Sequence, residues 1–173
     1  NISTDTRTIQ AGDLFVALKG ENFDGSNFCG KAIQTGASGL LINHVPGQSQ
    51  PDMDFHQSIP VLLVPDTLAA LGQLAGNLRR WNNDLRGLAI TGSSGKTTVK
   101  EMVGAILSQS HAILKTEGNF NNLIGLPLTL FKLEPEHEIA VLEMGMNRPG
   151  EIARLTEIAD PDVACNINVL EAQ

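Results

Sequence analysis

The sequence is poor in cysteine, in positive charge and in long apolar runs, and each shortage excludes a class of protein. Its two cysteines, Cys29 and Cys165, stand far apart, with no CxxC spacing and no Cys/His cluster. Reduced, unpaired thiols in a cytosolic protein are the simplest reading of that pattern. Twelve Lys and Arg stand against nineteen Asp and Glu, a net charge of −7. That balance excludes the basic face a general nucleic-acid surface needs. It also means that a bound phosphate has to be held by local positive elements, because the field of the whole chain repels it. No apolar run approaches the roughly 18 residues of a membrane-spanning helix. The N-terminus has neither the basic start nor the apolar core of a signal peptide. Neither nucleic acid nor a membrane is therefore expected as a partner. The chain opens "NISTDTR" without an initiating Met, as a trimmed piece of a longer protein would. The four histidines (His44, His56, His111 and His137) show no metal-ligand spacing and read as structural or surface residues.

What is present is an apolar content of 42%, ordinary for a soluble globular chain, in 173 residues that suffice for one medium domain or two small ones. Residues 1–84 form a first segment of α/β character. "GDLFVALKG" places a short apolar run, Leu14 to Leu18, after a turn-prone Gly-Asp, which predicts a buried strand. "KAIQTGASGLLINH" predicts a helix stopped near Gly36 and a strand at Gly39–Asn43, and "IPVLLVPD" a further strand. Thr67 to Arg80 carries Leu68, Leu71, Leu74, Ala75 and Leu78 at helical spacing, with Asp66 or Thr67 as its cap. The polar "RRWNNDLRG", residues 79–87, predicts a break or linker.

Residues 85–173 alternate strand and helix again. Strands are expected at Leu88–Thr91, Ala112–Lys115, Ile139–Glu143 and Val163–Ile167, and helices at Lys96–Ser110, Ile124–Phe131 and near Gly150–Ile158. Such alternation implies parallel βαβ units. The segment stops just after a strand, so an unpaired sheet edge is expected.

The stretch "LAITGSSGKTTVKEM" carries the first chemistry. In a phosphate loop the backbone N–H groups of a glycine-rich turn and the start of the next helix point at phosphate oxygens. Here Gly92, Ser93, Ser94 and Gly95 form the turn, Lys96 supplies the charge, and Thr97 a hydroxyl for Mg²⁺, with Thr98 a second hydroxyl. The commoner loop, G-x-x-x-x-G-K-[ST], wants a glycine where Ile90 stands. A strand precedes the loop, however, and Val99, Met102, Val103, Ile106 and Leu107 follow as one face of a helix. That context favours a nucleotide site over a plain strand–turn–helix. "IAVLEMGMNRPGEI" ends an apolar strand in Glu143, either a solvated strand-end acid or a hard oxygen ligand for the nucleotide's Mg²⁺ in the crevice beyond the strand ends. In "EGNFNNLIGLPLTL", Asn119, Asn121 and Asn122 either form a structural turn or orient a polar substrate.

Together these stretches resemble the Mur ligase family, ATP-dependent amino-acid or peptide ligases of peptidoglycan synthesis. The family loop, T-G-[ST]-x-G-K-[ST], is matched by "TGSSGKTT" and accounts for Ile90. The resemblance covers essentially the whole chain. "GKTTVKEM", "GNFNNLIGLPLTL" and "LEMGMNRPGEI" look most like the branch that adds D-alanyl-D-alanine to UDP-N-acetylmuramoyl-tripeptide. "STDTRTIQAGDLFVALKGENFDGSNF" is similar to the uridine-nucleotide-binding domain that this branch shares with another branch of the family. The resemblance implies a small α/β substrate domain, residues 1–84, followed by the first part of a P-loop parallel-sheet ATP-binding domain, residues 85–173, with a C-terminal domain beyond. It implies ATP and Mg²⁺ as cofactors, an acyl-phosphate route, and a cytoplasmic enzyme that is a monomer in full-length form. Lys96 falls on the β/γ-phosphates, Thr97 and Glu143 on the metal, and Asn119, Asn121 and Asn122 near the reacting groups. Thr4, Asp5, Thr6, Arg7, Lys19, Asn22, Asp24 and Gly25 match the motifs that line the UDP end. Gln173 stands about where the family has a histidine of the magnesium site, and the family's lysine lies further on. The piece alone is therefore expected to bind the UDP substrate without turnover. Another Mur ligase or a folylpolyglutamate synthase-like ligase would share the ATP loop.

Overall fold

The computed structural model describes residues 1–20, 23–43 and 59–169. Asn22, His44, His56 and Gln173 lie outside the described residues. Two compact units divide the chain, Asn1–Leu71 and Gly72–Gln173. The division falls within a helix, ahead of the polar 79–87 stretch.

The first unit holds strands β1 (Ile2–Ser3), β2 (Leu14–Val16), β3 (Gly39–Asn43) and β4 (Val61–Val64), in a parallel sheet of order β1-β2-β3-β4. Between β2 and β3 come a 3₁₀ turn, Gly25–Phe28, and helix α1 (Cys29–Thr35). Leu40, Leu41 and Ile42 of β3 are all buried, as expected for a parallel strand covered on both faces. The run predicted as a strand over 14–18 ends at Val16. Its end has a cause: the Ala17 carbonyl accepts from Thr67 Oγ1 (2.9 Å), and the Leu18 carbonyl accepts from the Gly25 amide (2.8 Å). A Cβ on Gly25 would lie 2.7 Å from the Leu18 carbonyl oxygen, so only glycine lets the chain fold back so closely. Helix α1 stops at Gly36, whose φ of +116° supplies the left-handed cap.

Helix α2 (Thr67–Trp81) begins where Asp66 Oδ1 accepts from the amides of Leu68 (2.8 Å) and Ala69 (3.0 Å). Asp66 is thus the cap, and Thr67 is committed to Ala17. The predicted break over 79–87 shrinks to residues 82–85, because α2 runs on to Trp81 and strand β5 (Arg86–Thr91) starts directly after. Arg79 explains the difference. Its side chain is buried and donates to the Asp160 carbonyl (3.2 Å) and to Asp162 Oδ2 (3.1 Å), so a polar residue extends the helix from inside.

The second unit continues with α3 (Lys96–Leu107), β6 (Ile113–Lys115), α4 (Gly125–Leu130), β7 (Ile139–Glu143), α5 (Glu151–Ala159) and β8 (Val163–Asn166). Its sheet is parallel, in the order β6-β7-β5-β8. Every residue of β8 is exposed, and among the described residues this strand pairs with β5 alone. The core runs from Leu85 and Ala89 through Leu126, Leu130 and Leu142 to Leu155 and Ile158.

The apolar face read along α3 is not the face the helix buries: Met102 and Ile106 are 61% and 64% exposed, Val99, Val103 and Leu107 are half-buried, and the helix's buried residues are Lys100 and Gly104. The face turned inward carries a charge because a carboxylate lies opposite it.

At Gly125 an added Cβ would stand 2.4 Å from Phe120 Cα, a backbone clash that no rotamer relieves. Gly125→Ala is expected to lower the unfolding free energy by about 1–3 kcal/mol, as overpacking does. Asp66→Ala should cost about 1 kcal/mol through the lost cap. Urea denaturation of each variant measures both.

Candidate functional site

Strands β5 and β7 are neighbours, and the register pairs Ile90 with Glu143. Their carboxyl ends therefore lie side by side, where ligands of parallel α/β sheets bind. From β5 the chain turns through Gly92 (φ +145°) and Gly95 (φ +80°) into α3, with no side chain capping that helix. A Cβ on Gly92 would come within 3.2 Å of the Asn168 backbone, so the loop needs glycine there for closeness as well as for φ.

The loop is satisfied internally. Ser93 N and Ser94 N donate to Asn168 Oδ1 at 3.0 and 3.1 Å, and Asn168 Nδ2 donates back to the Ser94 carbonyl at 3.2 Å. Lys96 Nζ donates to the Gly92 carbonyl at 2.7 Å. These are the amides and the ammonium that a phosphate group would engage. Thr98 is exposed on the first turn of α3.

Glu143, 2% exposed, is the point on which the three motif stretches converge. Thr97 Oγ1 donates to its Oε2 (3.0 Å), and Asn121 Nδ2 donates to its Oε1 (2.8 Å). Its own amide donates to Thr116 Oγ1 (3.0 Å). Lys100 Nζ stands 3.7 Å from Oε2. Of the three asparagines, then, Asn121 alone reaches the carboxylate. Asn122 Oδ1 instead accepts from the amides of Ile124 (3.0 Å) and Gly125 (2.8 Å) at the start of α4, and Asn119 is exposed. Glu143 and Thr97 offer hard oxygens of two kinds, and no group of three or more His, Cys, Asp or Glu that could hold a metal occurs among the described residues. Such a set fits Mg²⁺ held by few protein ligands plus water and phosphate, and does not fit an all-protein cage.

The first unit has its own cavity, of ≈ 430 Å³, lined by Thr4, Asp5, Thr6, Arg7, Phe15, Phe23, Phe28 and Lys31. Phe23 and Phe28 are stacked, their ring centroids 5.2 Å apart, and both are partly exposed. Arg7 grips Asp5 through Nε and through NH2 (2.6 Å). These side-chain bonds, with the Arg7 amide, lower the Asp5 carboxyl to about 2. The carboxyl lies below its ordinary value, so the pair is intact above that value and is lost only as pH falls towards 2. Lys19, Asp24 and Gly25 do not line the cavity. Lys19 Nζ stands 3.6 Å from Asp24 Oδ2, and Asp24 Oδ1 accepts from Ser26 N (2.9 Å), so these residues shape the turn that carries the two rings.

Several contributors escaped the sequence reading, Lys31 and Thr116 among them. Asn168 and Lys100 look like ordinary polar residues of a strand end and a helix, and nothing local marks them. Phe23 and Phe28, in contrast, flank the "DGSN" turn, and paired aromatics around a turn that must stay exposed were a readable signal. His111 Nδ1 lies 2.6 Å from Glu138 Oε2 and His137 Nδ1 accepts from the Glu134 amide, both at the surface.

Comparison with known proteins places this geometry. The Mur ligase family catalytic-domain profile matches residues 1–79, and the Mur ligase middle-domain profile matches residues 90–172. The UDP-N-acetylmuramoyl-tripeptide–D-alanyl-D-alanine ligase of Escherichia coli (strain K12) is 46% identical over 172 residues, 99% of this chain and 36% of that protein. The Bacillus subtilis (strain 168) ligase of the same name is 43% identical over 173 residues. A crystal structure of MurF from Acinetobacter baumannii superposes with a TM-score of 0.87 at 42% identity, covering 99% of this chain and 36% of that one. MurF ligase from Thermotoga maritima in complex with ADP gives 0.80 at 36% identity, over 96% and 37% of the two chains. The chain thus spans 36% of the length of the curated relatives it matches.

Asn168→Ala removes Oδ1, an acceptor of two loop amides, while Ser93 N keeps a second acceptor in the Asn168 carbonyl (3.1 Å). Hydrogen exchange at Ser94 N should accelerate, while the amides of β7 keep their protection; unchanged exchange at Ser94 N would show that the Asn168 side chain does not hold the loop.

Proposed function

The chain belongs to the Mur ligase family, and from that premise we propose that it carries the nucleotide-sugar-binding and ATP-loop parts of a cytoplasmic enzyme. That enzyme joins D-alanyl-D-alanine to UDP-N-acetylmuramoyl-tripeptide at the expense of ATP, and it acts as a monomer. Residues 1–84 hold the UDP end of the substrate and residues 85–173 the ATP. The observation that carries this reading is the convergence on Glu143: a hydroxyl from the phosphate-loop helix and an amide from the "GNFNN" turn meet on one buried strand-end carboxylate. No helix among the described residues is long and apolar enough to cross a membrane.

In the proposed reaction the terminal carboxylate of the tripeptide attacks the γ-phosphorus of ATP. ADP leaves, and an acyl phosphate results. The amine of D-alanyl-D-alanine adds to the acyl carbon, loses its proton, and the tetrahedral intermediate expels phosphate to give the amide. Two anions must meet, so positioning and neutralisation carry most of the barrier lowering. Lys96 leaves the Gly92 carbonyl for the β/γ-phosphates, and the amides of Ser93 and Ser94 leave Asn168 for phosphate oxygens. Thr97 and Glu143 would hold Mg²⁺, which when bound shields the charge of the phosphates. Asn121 fixes the Glu143 carboxylate through Oε1, leaving Oε2 turned towards Thr97.

In the first unit the stacked Phe23 and Phe28 offer a flat apolar face for uracil, and Arg7 and Lys31 supply positive charge for the diphosphate. The cavity is lined entirely by residues 4–31. That supports binding of the UDP substrate by this chain without turnover.

Lys96→Ala in the full-length protein should lower kcat by roughly 10²–10³-fold, the usual loss for one stabiliser of transition-state charge; ligation at the wild-type rate would remove Lys96 from this role. Phe28→Ala should weaken UDP-muramoyl-peptide binding about 5–150-fold, the equivalent of a lost stacking contact. Calorimetry of this chain with that ligand measures it, and an unchanged Kd would move the uracil elsewhere.

A further inference from the structure

The carboxylate of Glu143 is buried, and so is the one cation beside it among the described residues. Lys100 is 1% exposed and sits one turn along α3 from Thr97, on the same face of the helix. Its Nζ lies 3.1 Å from Glu101 Oε1 and 3.7 Å from Glu143 Oε2. Glu101 is half-exposed and also pairs with Lys115, so it has water and a second cation to balance it. Glu143 has neither. Its hydrogen bonds come from neutral donors, Thr97 and Asn121, which orient a carboxylate but do not cancel its charge. At 3.7 Å the ammonium is an ion-pair partner and not a hydrogen-bond donor. It compensates the charge without capping the lone pairs.

We propose that Lys100 is a positioning residue for the proposed metal site, the standing counter-charge that balances the buried Glu143 carboxylate and keeps it aimed towards Thr97. The inference rests on Glu143 being the metal-binding carboxylate. A buried pair broken from one side leaves an uncompensated charge, which is why removal of a single partner costs so much more than removal of both. A divalent cation arriving at Glu143 meets the ammonium as a like charge, so each partly takes the place of the other.

The test is a double-mutant cycle in the full-length protein, with Lys100→Met, Glu143→Gln and the double variant, followed by thermal unfolding without metal. Lys100→Met should lower the Tm by several degrees, and most of that loss should vanish in the Glu143→Gln background. Added MgCl₂ alone should raise the Tm of Lys100→Met more than that of the wild type, which a residue that merely filled space would not bring about. Equal losses from Lys100→Met in both backgrounds overturn the proposal, whatever magnesium does. Glu101→Gln keeps the matter decidable if Lys100→Met does not fold: it should leave Tm and kcat near wild type, and a loss of activity there would assign Lys100 to Glu101 instead. A wild type whose Tm and ligation both ignore Mg²⁺ would instead overturn the metal reading of Glu143, and the positioning role with it.

Discussion

A carboxylate closed off from water at the end of β7 sets the terms for the whole second unit. Burying an ionised group is costly unless hydrogen bonds and an opposite charge replace its hydration. Glu143 obtains them from two separate parts of the chain, Thr97 and Lys100 on α3 and Asn121 in the turn before α4, while Thr116 after β6 accepts from its backbone amide. The order β6-β7-β5 brings them there, since β7 stands between the strand that feeds the loop and the strand that feeds the asparagine turn.

The same demand for closeness explains where glycine stands. Gly92 lets the loop lie against Asn168, Gly125 lets α4 start against Phe120, and a Cβ on Gly145 would meet the Asn121 side chain at 3.2 Å. None of these positions is a generic turn. Each removes a methyl group so that a backbone or an amide can approach the strand ends, where the phosphate groups of a nucleotide would lie.

Much of this was legible in the sequence, and the exceptions share a cause. Strands β3, β5 and β7 announce themselves because parallel strands buried on both faces are continuous apolar runs. The strand–turn–helix that carries the proposed phosphate loop was readable despite Ile90, because its context survives the missing glycine. What periodicity could not reveal was a helix whose inward face is charged. On α3 the apolar stripe through Met102 and Ile106 points outward, while Lys100 and Gly104 turn in. A hydropathy pattern assumes an apolar partner, and here the partner is Glu143. Strand β1 escaped for a simpler reason: two residues, Ile2–Ser3, carry no period at all. Asn168 escaped because its importance lies in a contact made 74 and 75 residues away, with Ser94 and Ser93. Asn119, Asn121 and Asn122 look alike in sequence and have separate fates. The difference is made by which amide the turn aims at the strand end.

The division of labour between the two lysines of α3 follows from their burial. The chain as a whole is acidic, with a net charge of −7, so an anion is attracted only where positive charge is local. Lys96, at the mouth of the loop, is partly exposed and bonded to a neutral carbonyl, a partner it can exchange for phosphate at little cost. Lys100, four residues on, is fully enclosed and committed to carboxylates. If both were exposed, the carboxylate would lose its fixed counter-charge. If both were buried, no cation would be free to follow a transferring phosphoryl group. In the proposed reaction one helix would thus supply a mobile charge for the substrate and a fixed one for the protein, with the spacing of a single turn between them.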